Sequence, residues 1–493
     1  LKNNGHLEEA EKYARKAIKL KPNLAEAYCN LGGILNDLGK FEEANKYTSK
    51  AIKLDPALAI AYSNLGNILR NLGSLHDAEL SARKAIELDP SCTEAFANLG
   101  AILSENGNLK DGEVYTRKAI ALDPNSSTAH SNLGNILRDL GDLKEAELSI
   151  LKAIDLNPNF AKGYYYLSTF NYSINNRNWL DKLFSEKILT NKSAKDKVDI
   201  YFARANILHK EKNFQESANS LKLANQLKLS LCKSQFNELI EKSQFLLKIS
   251  ERKVTKPKET SKHPQHIFIV GMPRSGSTLV ESILSMNSFV TPLGEINVLE
   301  KSFQEWSKIG EKKALIKLYS DKLKSYKALN ITTNKWLYNY LYAGIIANHL
   351  PNAKIIHCYR NPLDNILSIY RAHFANGNEY SSSLDQSTKI YLNQVRLMDN
   401  YKQRFRSKIY DLNYDLLVVN PKVEIKSLIN WLGWEWHESY LSPHLSTRVI
   451  STRSSVEVRS PINSKSIGGW KNYRKMLKPV IDLLAKEKFK YFF

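Results

Sequence analysis

Arg274 lies in a short loop, Gly271-Met-Pro-Arg-Ser-Gly-Ser-Thr278, between an apolar run at 267–270 and a helical pattern that begins at once. Strand, glycine-bounded loop and helix, in that order, turn backbone N–H groups and a helix N-terminus toward an anion. The chemistry open to such a loop is the seating of a phosphate group. Pro273, Arg274, Ser275, Gly276, Ser277 and Thr278 are its candidate contacts, with Arg274 as the cation. A second pair has related chemistry. Arg360 closes the apolar stretch KIIHCY at 354–359, and Ser368 follows eight residues later within a helical pattern. An arginine at a strand end and a serine two turns into the next helix can close on one phosphate, the arginine through a bidentate charge-assisted pair; a surface ion pair of Arg360 with Asp364 is the alternative.

The loop approaches the signature G-x-x-x-x-G-K-[ST], but Ser277 stands where the lysine belongs. That lysine reaches the β- and γ-phosphates of ATP or GTP, so its absence argues against an ordinary NTPase or P-loop kinase. The bland alternative is a glycine-rich turn without a ligand. Of the chain's 493 residues, the first 160 carry 19 Lys+Arg against 22 Asp+Glu, and the remaining 333 carry 52 against 28. The basic excess therefore lies in the half that holds the loop, and on charge alone it suits an anionic cofactor, an anionic acceptor, nucleic acid or a membrane surface. Solvated lysine explains part of that excess as well. Cys29, Cys92, Cys232 and Cys358 form no metal-ligand spacing and no disulfide framework, so no metal and a reducing, cytoplasmic compartment are expected. No apolar run approaches the ~20 residues of a membrane span.

The elements that must position these residues come in two styles. Prolines at 22, 56, 90, 124 and 158 recur every 34 residues. With them recur a Leu-Gly pair at 31–32, 65–66, 99–100 and 133–134, and an alanine at 51, 85, 119 and 153. This resembles the tetratricopeptide (TPR) pattern, two antiparallel helices per unit. The units are 25–58, 59–92, 93–126 and 127–160, preceded by an orphan second helix at 1–22. The chain thus opens inside a repeat, and an incomplete N-terminus is expected. Asn30, Asn64, Asn98 and Asn132 precede the Leu-Gly pairs on the first helices. Resemblance to TPR superhelices places them in the concave groove, where an amide's donor and acceptor suit a polypeptide backbone. Consensus composition without a ligand is the competing reading.

Past Pro158 the pattern decays, and 161–250 reads as degenerate TPR or adaptor helices that cap the stack. Residues 251–265, polar and proline-containing, read as a linker. From 266 to 493 apolar strands near 267–270, 354–359 and 408–412 alternate with helical stretches, which implies an α/β domain with a mostly parallel sheet. The whole is a multidomain chain, an all-α superhelix over 1–160 followed by that α/β domain.

With the loop, the Arg360–Ser368 pair and the repeats together, residues 266–475 resemble the PAPS-dependent sulfotransferase domains fused to TPR arrays in bacteria, and more distantly the tyrosylprotein sulfotransferases. PAPS is 3′-phosphoadenosine 5′-phosphosulfate. The resemblance makes 271–278 the 5′-phosphosulfate loop and Arg360 with Ser368 the 3′-phosphate motif. It makes Leu293-Gly294-Glu295 the segment of the catalytic base, and Thr332-Thr-Asn-Lys335 the lysine segment, where Trp336 replaces the usual proline. It implies that Ser454 and Arg459 close over the cofactor and that Tyr414 lies near the nucleotide. Glu295, Lys335 and Arg274 are then the expected catalytic residues, without a metal. His349, before Leu350-Pro351, is expected to be structural, and Trp431, Trp434 and Trp436 to be core. The function implied is sulfuryl transfer from PAPS to a hydroxyl acceptor, with a polypeptide or partner in the TPR groove and no nucleic acid. The alternative is an interaction scaffold whose domain binds nucleotide but has lost turnover.

Overall fold

The computed structural model describes residues 7–170, 178–252, 265–310, 312–326, 331–336, 338–375, 377–446 and 457–487. The chain divides into two compact units, Leu1–Ile207 and Leu208–Phe493. Most of the expected linker, 253–264, lies outside the described residues.

The first unit is a stack of helix pairs. Leu7–Leu20 is followed by Ala25–Asp37 with Phe41–Leu54, Ala59–Asn71 with Leu75–Leu88, Thr93–Glu105 with Leu109–Leu122, and Ser127–Leu140 with Leu143–Leu156. The repeated small residues explain the pairing. A Cβ added to Gly100 would lie 2.8 Å from the Gly112 carbonyl oxygen of the partner helix, so only glycine permits this approach. Ala51, Ala85, Ala119 and Ala153 are fully buried, as are Leu31 and Leu99. Each repeat therefore buries its apolar face against its neighbours rather than in a closed core. Arg15, Arg83 and Arg117 each pair with a glutamate four residues earlier on the exposed second helices. At such exposure each pair contributes at most about 1 kcal/mol.

The second unit is built on five parallel strands. They are β1 (Gln265–Gly271), β2 (Val290–Pro292), β3 (Ile331–Asn334), β4 (Ala353–Tyr359) and β5 (Ile409–Asn413), in the order β2-β3-β1-β4-β5. Central β1 shows why the sheet is covered twice. Ile267 and Ile269 point into a core with the helices Ser277–Leu284 and Pro421–Leu432. Phe268 and Val270 point into another with Val298–Lys308, Leu315–Leu323 and Ala343–His349. A strand apolar on both faces reads as a continuous run, as 267–270 does. His349 lies edge-on to Trp306 at 4.8 Å, while Trp431, Trp434 and Trp436 pack on the first of these cores.

Residues 208–250 belong to this unit and supply part of its interior. Leu246 and Ile249 of the helix Phe236–Ser250 join the Phe268 core. Asn225 donates to the Tyr370 carbonyl at 3.0 Å, and Lys228 to that of Phe374 at 2.6 Å. The Tyr473 hydroxyl meets Ser217 Oγ and His209 Nδ1, each at 2.9 Å. Burial, with the charges of Arg371 and Lys210, pushes His209 down to about 3. The folded state thus holds this imidazole neutral over a range where the unfolded chain, near pKa 6.5, takes up a proton. Stability from this site is full above pH ~6.5 and falls as the pH drops toward 3. At pH 5 the expected loss is about 2 kcal/mol relative to pH 7. Thermal melts of the wild type and of His209→Gln across that range check it, the variant showing the shallower decline.

Candidate functional site

In a parallel sheet the loops leaving the carboxyl ends of the strands share one edge, and ligands sit where the strand order reverses. Here the chain goes from β1 outward to β2, returns through β3 beside β1, then crosses to β4 on the other side. The loop after β1 therefore opens at the switch point. Its two glycines are required by contact. A Cβ on Gly271 would fall 2.2 Å from the Cys358 carbonyl oxygen of β4, and one on Gly276 (φ +94°) 2.2 Å from Tyr414 Cδ2. Asn365 ties the loop to the helix Pro362–Arg371 by donating to the Pro273 carbonyl at 3.0 Å. Ser277 and Thr278 begin the helix that follows, so their N–H groups have no acceptor within it. Gly271→Ala should lower unfolding stability by about 1–3 kcal/mol in urea titrations, because the clash is with main chain that cannot swing aside.

Arg274 adopts a left-handed backbone (φ +66°). Its guanidinium donates from Nε to Ser368 Oγ at 3.0 Å, and from Nη1 and Nη2 to the two Glu457 carboxylate oxygens at 3.2 and 2.5 Å. Arg360 is buried. Its Nη1 lies 3.5 Å from the Arg274 carbonyl oxygen, its Nη2 donates to the Ser466 carbonyl at 2.8 Å, and its guanidinium stands 4.8 Å over the Tyr414 ring. The expected alternative partner, Asp364, accepts instead from the backbone of Gly468 and Trp470 at 2.7 and 2.9 Å. Asp415 is the carboxylate facing Arg360, at 3.9 Å, and it accepts from Asn361 N at 2.6 Å. Burial raises Asp415, with Asp364 adding to the effect and Asn361 and Arg360 opposing it. Arg274, Arg360 and Ser368, distant in sequence, thus meet beside the loop. Tyr414 lies against Gly276, and its hydroxyl is 2.9 Å from Ser466 Oγ. Arg459 is half-buried in the turn Glu457–Arg459, whereas Ser454 lies outside the described residues.

Glu295 and Lys335 form a pair of their own at the end of β3. Lys335 Nζ is 2.7 Å from Glu295 Oε1, and the lysine side chain has no solvent exposure. The Leu293 N–H donates to the Thr333 carbonyl and the Lys335 N–H to the Gly294 carbonyl, at 2.8 and 2.9 Å. The segment before Glu295 is therefore stitched to β3. Trp336 at the usual proline position does not divert the lysine from Glu295.

Two residues here were passed over by sequence reasoning. Glu281, fully buried on the loop helix, accepts at Oε1 from Gly294 N (3.1 Å) and Thr333 Oγ1 (3.0 Å). It links the helix Ser277–Leu284 to the backbone that carries Glu295 and Lys335. A single carboxylate in the run Leu279-Val-Glu-Ser-Ile283 was the available signal. Arg371, one turn beyond Ser368, is close enough to feel the charges of Arg274 and Glu457, and burial lowers its proton affinity. Among the described residues, no group of three or more His, Cys, Asp or Glu could hold a metal ion. No helix there is long and apolar enough to cross a membrane.

In the first unit three of the four asparagines expected in the groove are engaged between repeats. Asn98 Nδ2 donates to the Ser63 carbonyl (3.2 Å) and hydroxyl (3.0 Å), Asn132 Nδ2 to the Ala97 carbonyl (3.0 Å), and Asn64 Nδ2 to Cys29 Sγ (3.2 Å). Asn30, on the first full repeat, is exposed.

Residues 264–438 match the profile of the sulfotransferase family, and 1–24, 25–58, 59–92, 93–126 and 127–160 match tetratricopeptide repeats. An uncharacterized protein of Aquifex aeolicus (strain VF5) is 28% identical over 311 residues, 58% of this chain and 41% of that protein. This chain thus spans about two-fifths of that relative's length. A Caenorhabditis briggsae protein named "Putative protein-tyrosine sulfotransferase" is 25% identical over 231 residues, 43% of this chain and 82% of that one. Among solved structures, MamA (25% identity, 33% of this chain and 94% of that one, TM-score 0.26) and YrrB, titled a TPR protein with an unusual peptide-binding site (25%, 41% and 100%, 0.27), are similar. The chain is an array of tetratricopeptide repeats joined to a domain of the sulfotransferase family.

Proposed function

We propose that the second unit transfers a sulfuryl group from PAPS to a hydroxyl acceptor, and that the repeat array holds a polypeptide or a partner that carries the acceptor. The observation that carries this reading is the meeting of Arg274, Arg360 and Ser368 beside a loop that lacks the NTPase lysine. The residues present fit such a nucleotide. Arg360 Nε and Ser275 Oγ are buried without a hydrogen-bond partner among the described residues. Arg274 already grips a carboxylate with two donors, the grip that a phosphate or sulfate takes.

When bound, PAPS supplies an activated sulfuryl group on a phosphate leaving group. The loop N–H groups and Arg274 hold the anion at the 5′ end, and Arg360 with Ser368 hold the 3′-phosphate. Glu295 takes the proton from the acceptor hydroxyl as its oxygen bonds to sulfur and the sulfur–oxygen bond to the phosphate breaks. Lys335, already on Glu295, places a positive charge beside the reacting oxygens, where fixed charge in a water-poor site acts most strongly. Glu281 holds the backbone of both in register with the loop. Calorimetry with adenosine 3′,5′-bisphosphate against ATP–Mg²⁺, followed by transfer from labelled PAPS to a panel of tyrosyl peptides, carbohydrates and small alcohols, tests the reading. Binding of ATP–Mg²⁺ in preference to the bisphosphate would overturn it.

A further inference from the structure

We propose that Glu457 is an affinity-setting residue, an internal anion seated on Arg274 that a nucleotide must displace. The inference rests on the nucleotide-binding reading above. Arg274 is committed on every side of its guanidinium, with Nε on Ser368 Oγ and Nη1 and Nη2 on the two oxygens of Glu457. Two parallel N–H donors on two oxygens of one acid group is the fork that arginine offers equally to carboxylate, phosphate and sulfate. The Glu457 carboxylate therefore takes the grip that two oxygens of an anionic ligand would take. The charges around it argue the same way. Arg274 and Arg371 both act on this spot, and Glu457 is the carboxylate that faces them. Asp364 and Asp415, the acids described around Arg360, accept from the backbone N–H groups of Gly468, Trp470 and Asn361.

Glu457 is also built to leave. Its side chain is 57% exposed against 19% for Arg274, so the carboxylate can swing into water while the guanidinium stays. The turn that carries it remains anchored by Val458, buried in the core beneath the loop helix. Binding is then an exchange of one anion for another. Such an exchange weakens the apparent affinity, and it flattens the salt dependence because the charge at Arg274 changes little.

The test is calorimetry of the full chain and of Glu457→Gln with adenosine 3′,5′-bisphosphate, adenosine 5′-monophosphate and adenosine 3′-monophosphate, at low and high salt. The variant should bind the bisphosphate roughly five- to tenfold more tightly, the scale of one partly exposed charge-assisted contact, and with a steeper salt dependence. Of the monophosphates, the one that shares the gain carries the phosphate that takes the place of Glu457. Unchanged or weaker binding of the bisphosphate by the variant, with normal binding by the wild type, overturns the inference alone. A wild type and a variant that both ignore the bisphosphate overturn the nucleotide reading as well. Because the side chain is mostly in solvent, Glu457→Gln should melt with the wild type. Glu457→Ala supplies the same readout without the amide.

Discussion

Replacing Glu295 with glutamine should slow sulfuryl transfer by about 10²- to 10⁴-fold and leave adenosine 3′,5′-bisphosphate binding almost unchanged. The amide keeps the size of the side chain and can still accept from Lys335 Nζ, now 2.7 Å from Glu295 Oε1. It cannot take a proton from an attacking hydroxyl. The lysine has no solvent exposure, so removing its counter-charge costs some stability; a melting curve on the same sample separates that cost from the loss of rate. Initial rates with labelled PAPS at saturating nucleotide give the comparison. Rates within a few fold of wild type would take the base role away from Glu295.

The second large effect is on binding. Arg360→Lys should weaken adenosine 3′,5′-bisphosphate by about 10²-fold, close to the effect of Arg360→Met. A lysine keeps the positive charge but not the fork, and it leaves the phosphate with a point charge where two directed donors stood. Arg360 also holds the Ser466 carbonyl at 2.8 Å, so the strap that includes Gly468 and Trp470 loses one anchor in both variants. Asp364 still binds that strap through two backbone N–H groups, which limits the collateral loss. Equal affinity in Arg360→Lys and wild type would mean that charge alone is read there.

What the sequence could reveal depended on how far apart the cooperating residues lie. The loop at 271–278 is one continuous strand–turn–helix, so its type and place were readable locally. The 34-residue period made the helix pairs readable in the same way, and β4, β5 and the helices after them follow the alternation expected from 354 onward. By contrast, β2 and β3 have three and four residues, and β2 ends in a proline, so neither gives a period. Without them the pairing that brings Gly294 beside Lys335 cannot be seen, nor can the role of Glu281. Arg371 and Glu457 were hidden for a related reason. One is a helix end and the other an acid in an irregular stretch, and only the return of that stretch to the loop brings them together. The helices over 214–250 carry an apolar face in the sequence, but periodicity does not name its partner. For Phe236–Ser250 the partner is the Phe268 core of the second unit, and Phe214–Leu231 meets Tyr370, Phe374 and Tyr473 through Asn225, Lys228 and Ser217.

The amide stitches of the first unit have a mechanical corollary. Asn64, Asn98 and Asn132 each fasten a first helix to the helix one repeat earlier, beside other polar ties such as Asn71 Nδ2 to Asn36 Oδ1 (2.8 Å) and Arg117 to Glu145 (2.7 Å). Each stitch ties one repeat to the next at a fixed register, so sliding any repeat past its neighbour breaks a directed bond as well as apolar contact.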